Sequence, residues 1–152
     1  MTLKKPTYSY IIISFLAFIL ISSTLFSIGL VSSQSSGTEV SGIIAADTTW
    51  TQANSPYTLT GNVLVQNGAT LTIESGTDVN LKGFYLMVNG TLIAKGTNQQ
   101  PISLSNGLIN ITSHAEGWSE GSSLGSQFEK LSLVSAEIYS SVPLKIDGVN
   151  TN

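Results

Sequence analysis

The sequence predicts an all-β fold, a parallel β-helix (β-solenoid), preceded by one N-terminal hydrophobic helix. Residues 64–77 return in modified form as residues 86–97, with the Asn-Gly pairs 22 residues apart and the Gly-Thr pairs 20 apart. Runs of about four residues alternate apolar and polar positions, and most of them end at a glycine-containing pair. Self-similarity at this period, built on β-forming residues, is typical of stacked solenoid coils.

The N-terminus predicts export. Lys4 and Lys5 precede the apolar residues 11–21, and no further charge occurs before Glu39. These are the parts of a secretory signal, and the stretch is also long enough to span a bilayer, which takes about 20 residues. Residues 1–33 are therefore a signal peptide cut near Gln34, or an uncleaved membrane anchor. Lysines on the N-terminal side leave the remainder outside in both cases, secreted or anchored at the cell surface.

Three regions follow from composition. Residues 1–33 are the signal or anchor, residues 34–46 are a Ser/Gly-rich linker, and residues 47–152 form the β-helix. Trp50 and Tyr57 are expected to cover the open end of the first coil, with a sugar-stacking platform as the alternative. Because no cap follows Leu144 and Ile146, the β-helix is expected to be incomplete at its C-terminus.

Alternation places the following residues in one continuous core, with Leu71 stacked on Leu92: Val63, Val65, Leu71, Ile73, Val79, Leu81, Leu86, Val88 and Leu92. Asn-Gly pairs also favour hairpins, so a β-meander is the alternative, but the repeat favours the solenoid. Gly68 and Gly90 are expected at turns with positive φ. Residues 112–125 are expected to leave the stack as a loop.

Charge and residue usage exclude several classes of function. The whole chain has a net charge of −3, and without Lys4 and Lys5 four lysines face nine acids. Such a surface has no electrostatic reason to bind nucleic acid. Cysteine is absent, which excludes a disulfide scaffold and a thiolate metal site.

The sequence offers few groups for chemistry, and we expect no catalytic, cofactor-binding or metal-binding residues. Glu74 and Asp78 flank a turn and are the best candidates for a glycosidase pair, but turn residues explain them equally well. His114 with Glu116 and Glu120 is the one cluster that resembles a metal site, and zinc or copper normally needs a second imidazole or thiolate. Asn89 and Asn110 begin possible glycosylation sequons.

The segments 47–63 and 67–77 resemble the opening coils of exported right-handed β-helix proteins of the pectin-lyase-like superfamily. The resemblance implies the fold and not an activity, since that superfamily holds polysaccharide lyases, glycosidases, copper-maturation factors and adhesins. Its lyases use Arg or Lys as a base beside calcium-binding acids. This chain has no Arg, and Lys82, Lys95, Lys130 and Lys145 are isolated.

Together these observations predict a non-catalytic cell-surface β-helix module with a structural, adhesive or scaffold role. The alternative is a β-helix that binds or cleaves carbohydrate, and metal handling in the envelope is a third reading that depends on His114. Expected partners are envelope polysaccharide or other surface proteins, with the membrane added if residues 1–33 are retained. No nucleic acid and no cofactor are expected.

Overall fold

The computed structural model describes residues 37–151, and its strands pair in parallel throughout. One 3-10 turn, Gln52–Asn54, interrupts them. The strands are β1 Thr38–Ile44, β2 Thr48–Trp50, β3 Tyr57–Val65, β4 Thr70–Ile73, β5 Asp78–Asn80, β6 Tyr85–Val88, β7 Thr91–Lys95, β8 Ile102–Ile111, β9 Gln127–Ser140 and β10 Lys145–Thr151.

The strands wind into a stack with three flanks, because the longer strands bend at corners and serve two or three of them. The first flank joins β2, β4, β7 and the beginnings of β9 and β10. The second joins the beginnings of β1, β3 and β8 with β5, the middle of β9 and the end of β10. The third joins the ends of β1, β3, β8 and β9 with β6.

The core fills the space between the three flanks. All nine residues predicted to form it are buried, each less than 3% exposed, and they belong to one apolar cluster. Leu71 pairs directly with Leu92 across β4 and β7, as predicted. Parallel in-register pairing of this kind excludes the β-meander, because hairpin strands are antiparallel.

Two aromatic rings stack on each other inside the first coils. Trp50 and Tyr57 are each 3% exposed, and their rings stack with centroids 4.9 Å apart. The Tyr57 hydroxyl also accepts a hydrogen bond from the Thr51 amide at 2.9 Å. Both rings lie within the core cluster, and Tyr57 has a paired strand on each side, β1 and β5, so it does not lie at the open end where the sequence predicted it.

The loop after β8 lengthens one coil without breaking the stack. Residues between Ile111 and Gln127 leave the ladder, and β9 then resumes pairing with both β7 and β8. The Asn67 carboxamide donates to the His114 carbonyl at 3.2 Å, which ties the loop to an earlier corner. This confirms the predicted loop and agrees with the tolerance of solenoids for insertions at corners.

Two predictions about local structure were wrong. The linker assigned to residues 34–46 contains β1, which pairs in parallel with β3 and so begins the fold before Asp47. Ser and Gly content suggested flexibility, but Val40 and Ile44 pack against the core and hold the segment as a strand. Gly90 does not have the positive φ expected of it, whereas Gly68 does, at 82°.

The signal or anchor assigned to residues 1–33 lies outside the described residues, and the right-handed sense of winding stays a prediction. Within residues 37–151 no helix has the length and apolar character needed to cross a membrane.

Candidate binding surface

The outward faces of the first and second flanks are mainly polar. Threonines 49, 70, 72 and 91 project from the first flank, and serines 103, 105 and 132 from the second. The first flank also carries two ion pairs, Lys145 with Glu129 at 2.6 Å and Lys130 with Asp147 at 3.2 Å. These two faces are suited to contact with water.

The outward face of the third flank is apolar and aromatic. Parallel pairing aligns Ile43, Leu64, Met87, Asn110 and Tyr139 in one column across five strands. A second column beside it holds Tyr85, Leu108 and Glu137. We call these eight residues the third-flank face.

Four large apolar side chains of this face are open to solvent. The exposed fractions are 67% for Ile43, 48% for Tyr85, 38% for Met87 and 58% for Tyr139. Alternate residues of the same strands, such as Leu86 and Ile109, are fully buried in the core. Strand alternation therefore fixes these side chains on the outside, where a contiguous apolar patch usually marks an interaction site.

One carboxylate lies among these apolar groups. Glu137 and Tyr139 are two residues apart on β9 and point to the same side. A hydrogen bond from the Tyr139 hydroxyl to the Glu137 carboxylate raises the pKa of Tyr139, and the negative charge of Glu137 adds to the shift. The pair thus presents an aromatic ring and an acceptor on the same side of β9.

Three open hollows meet around Glu137. One of about 490 Å³ is lined by Leu108, Asn110, Glu137, Tyr139, Ser140 and Ser141. Another, of about 440 Å³, extends from Glu137 past Leu108 to Tyr85. A third, of about 360 Å³, lies at the end of the described stack, between Tyr139 and the core-facing side chains Ile138 and Val149. The third-flank face is therefore grooved rather than flat at this end.

The candidate acid pair lies away from this face. Glu74 and Asp78 flank the corner between the first and second flanks, and both are exposed. The Glu74 carbonyl accepts the Thr77 amide at 3.3 Å, and the Asp78 amide donates to the Ser55 hydroxyl at 2.9 Å. The backbone contacts of both residues thus belong to the corner.

The cluster that resembles a metal site lies in the loop after β8. His114, Glu116 and Glu120 are all exposed there. In the part of the chain that the structure describes, no three His, Asp or Glu side chains come together in a way that could hold a metal ion.

The two sequons lie on neighbouring coils. The Thr112 hydroxyl, which belongs to the sequon of Asn110, donates to the Asn89 carboxamide oxygen at 2.7 Å. Asn89 thus stabilises the corner between the third and first flanks. Asn110 lies on the third-flank face between Met87 and Tyr139. Glycosylation at either position stays a prediction.

The third-flank face was not predicted from the sequence, although a signal for it was present. Leu86 and Val88 were predicted as a buried pair, and their neighbours Tyr85 and Met87 carry the missed signal. Four consecutive apolar residues, rather than strict alternation, indicate a strand with apolar groups on both faces.

Comparison with known proteins places these coils in a family. The model of the family described as Pectate-lyase like beta helix domain matches residues 42–119, about half of the chain. No curated protein and no solved structure gave a match.

Proposed function

The chain belongs to the pectate-lyase-like β-helix domain family, and from that premise we propose that it is an exported, non-catalytic module that adheres through its third-flank face. The stack is a rigid support and the face is the contact surface. Its place of action is the cell surface, where the module is secreted or held by residues 1–33.

The observation that carries this proposal is the difference between the three outward faces. Two carry mainly threonine, serine and charged groups, with the exposed Val134 on the second, and the third carries Ile43, Tyr85, Met87 and Tyr139 in the open. A module that only spaced other domains apart would have no need of such a face. An exposed apolar patch carries a cost in solubility, and an adhesive role explains why it is present.

The non-catalytic part is supported by the positions of the acids. Glu74 and Asp78 are exposed at a corner and their backbones form part of the turn, on a different side from the apolar face. General acid–base catalysis needs such groups beside a bound substrate. The alternative, carbohydrate cleavage, is favoured by the family's description alone.

Export is supported by the order of Lys4, Lys5 and the apolar residues 11–21. Cell fractionation of the full-length chain with a C-terminal tag tests it. We expect the tag outside the cytoplasmic membrane and accessible to added protease. A tag that stays in the cytoplasm would contradict export.

Adhesion is tested by sedimenting the purified full-length chain with cell-envelope fragments of the organism that encodes it. We expect the chain to co-sediment, and the double variant Tyr85→Ser, Met87→Ser to lose most of this binding. Thr70→Ser with Thr72→Ser, on a polar face of the same stack, is the matched control. Equal binding by both double variants would contradict adhesion through the third-flank face.

Activity is tested with the same preparation on polygalacturonate and neutral polysaccharides, with and without calcium. We expect no turnover. Reproducible cleavage that disappears in Glu74→Gln or Asp78→Asn would replace the adhesive reading with an enzymatic one.

A further inference from the structure

Three hollows meet where the third-flank face borders the second flank and the last described coil. Glu137 lines all three, and Tyr139 lines two of them. We call the groove bounded by Tyr85, Leu108, Asn110, Glu137 and Tyr139 the Glu137 groove. It extends over two coil spacings, from the level of Tyr85 to the level of Tyr139, which is about 10 Å along the stack at ordinary strand spacing.

We propose that the Glu137 groove binds a chain of neutral sugars, a disaccharide or longer, without cleaving it. This inference rests on the proposed adhesive function and names the chemistry of its partner.

The side chains of the groove match both the apolar faces and the polar edges of a pyranose ring. The ring faces of a sugar are lined with C–H groups, and these pack on the half-exposed rings of Tyr85 and Tyr139 and on Leu108. Sugar hydroxyls need donors and acceptors at the edges. The Glu137 carboxylate supplies acceptors, and the Asn110 carboxamide supplies two donors and one acceptor.

The backbone at Glu137 is held by strand pairing. Its side chain lies on the same side of β9 as that of Tyr139, two residues further on, and raises the pKa of the Tyr139 hydroxyl, so the acceptor and the aromatic ring are neighbours. Both lie on a strand that pairs with β8 over nine residue pairs, from Ile102–Leu131 to Ile111–Ser140. Side chains held on a paired strand lose less freedom on binding than side chains on a loop.

Charge selects a neutral chain over an acidic one. The three hollows are lined by one carboxylate and no lysine, and Lys82 stands next to the lining residue Gly83 without belonging to the lining itself. A uronate chain would bring its own carboxylates towards Glu137 with no cation to compensate them. The expected ligand is therefore an uncharged sugar chain, unlike pectate, the acidic chain after which the family is named.

Shape and size also favour an extended sugar chain over a second copy of this protein. The groove is concave at the Glu137 end, and two such ends facing each other would leave space between them. The eight-residue face is also smaller than the 20 to 30 residues a side that stable protein interfaces commonly use.

The test uses isothermal titration calorimetry on the full-length chain, produced without glycosylation because a glycan on Asn110 would occupy the groove. The probes are cellohexaose and mannohexaose as neutral chains and hexagalacturonate as the acidic one. We expect at least one neutral chain to bind and hexagalacturonate to bind more weakly. Tyr139→Ala should weaken neutral binding roughly tenfold, the loss of one aromatic contact. Glu137→Gln should weaken it less.

The matched control is Val134→Ala, which removes an exposed apolar side chain from the same strand on the second flank. It should leave binding unchanged, and thermal melts show whether either variant is still folded. Binding that Tyr139→Ala and Val134→Ala alter equally, or preference for hexagalacturonate, would overturn the proposal. So would a concentration-dependent dimer that Tyr139→Ala abolishes, because a second copy would then be the occupant.

The two proposals fail in different ways. If envelope fragments are bound through the third-flank face but neither neutral chain binds, adhesion stands and the sugar inference is overturned. If neither envelope nor sugar is bound, both are overturned.

Discussion

Gly68 and Gly90 occupy equivalent positions of the repeated segments 64–77 and 86–97, yet the structure requires glycine at each for a different reason. Gly68 has a φ of 82° and open space around it. Gly90 has an ordinary φ, but a Cβ there would collide with the carbonyl oxygens of Gln66 and Ala69 in the turn below. Stacking, rather than turn geometry, therefore fixes the second glycine.

Substitution by alanine tests both requirements against a loop glycine. Gly90→Ala should destabilise the fold by about 1–3 kcal/mol, as overpacking against backbone does. Gly68→Ala should cost about 1–2 kcal/mol for the left-handed conformation. Gly121→Ala, at a loop position with open space, should change the unfolding free energy by less than about 0.5 kcal/mol. Chemical denaturation of the three variants measures these losses, and a loss for Gly121→Ala as large as those for Gly68→Ala and Gly90→Ala would contradict stacked turns.

The hydrogen bond between Tyr139 and Glu137 gives a second prediction at this scale. Because the carboxylate favours the protonated phenol, the pKa of Tyr139 is raised, and Glu137→Gln should move it back down. Titration of tyrosine-labelled protein by NMR follows the resonance of Tyr139 directly. A pKa of Tyr139 that stays the same in Glu137→Gln would mean that the two side chains do not interact.

At the scale of elements, much of the fold could be predicted from the sequence, because a strand with one polar face reveals which of its sides faces the core. Val63 and Val65, or Leu71 and Ile73, alternate with polar residues, and all four are buried. The prediction of a strand's outward face was wrong where the strand has no polar side. In β6 both faces are apolar, so the pattern located the core side and missed the surface side.

The predicted N-terminal boundary of the β-helix was wrong for a related reason. β1 contains Thr, Glu, Ser and Gly, and its burial is only partial. Its place in the sheet is decided by pairing with β3 and by the contacts of Val40 and Ile44 with the core. Such tertiary contacts override composition, and a single sequence does not reveal them.

The ladder between β4 and β7 gives the prediction for this scale. Leu71→Ala removes a fully buried side chain that pairs with Leu92 and should cost about 2–5 kcal/mol. Thr72→Ala changes the next residue, which faces outward, and should cost far less. Urea unfolding of both variants measures the difference. Losses of similar size would place Leu71 outside the core.

At the scale of the whole molecule, the function follows from the stacking. Each coil contributes one or two residues to the third-flank face, and no single coil contains a site. Ile43, Met87 and Tyr139 are far apart in sequence and lie in one column because every coil repeats the same path. A repeat with one apolar outward flank thus produces an extended surface from short repeated segments.

The measurement that tests this assembly most directly is disulfide formation between paired positions of the face. The chain contains no cysteine, so a pair can be introduced cleanly. Met87→Cys with Asn110→Cys joins direct ladder neighbours, and Tyr85→Cys with Asn110→Cys joins residues offset by two along the strand. Under mild oxidation we expect rapid cross-linking of the first pair and slow cross-linking of the second, because a disulfide needs Cα atoms about 4.4–6.8 Å apart. Equal rates, or faster cross-linking of the offset pair, would contradict the register that builds the third-flank face.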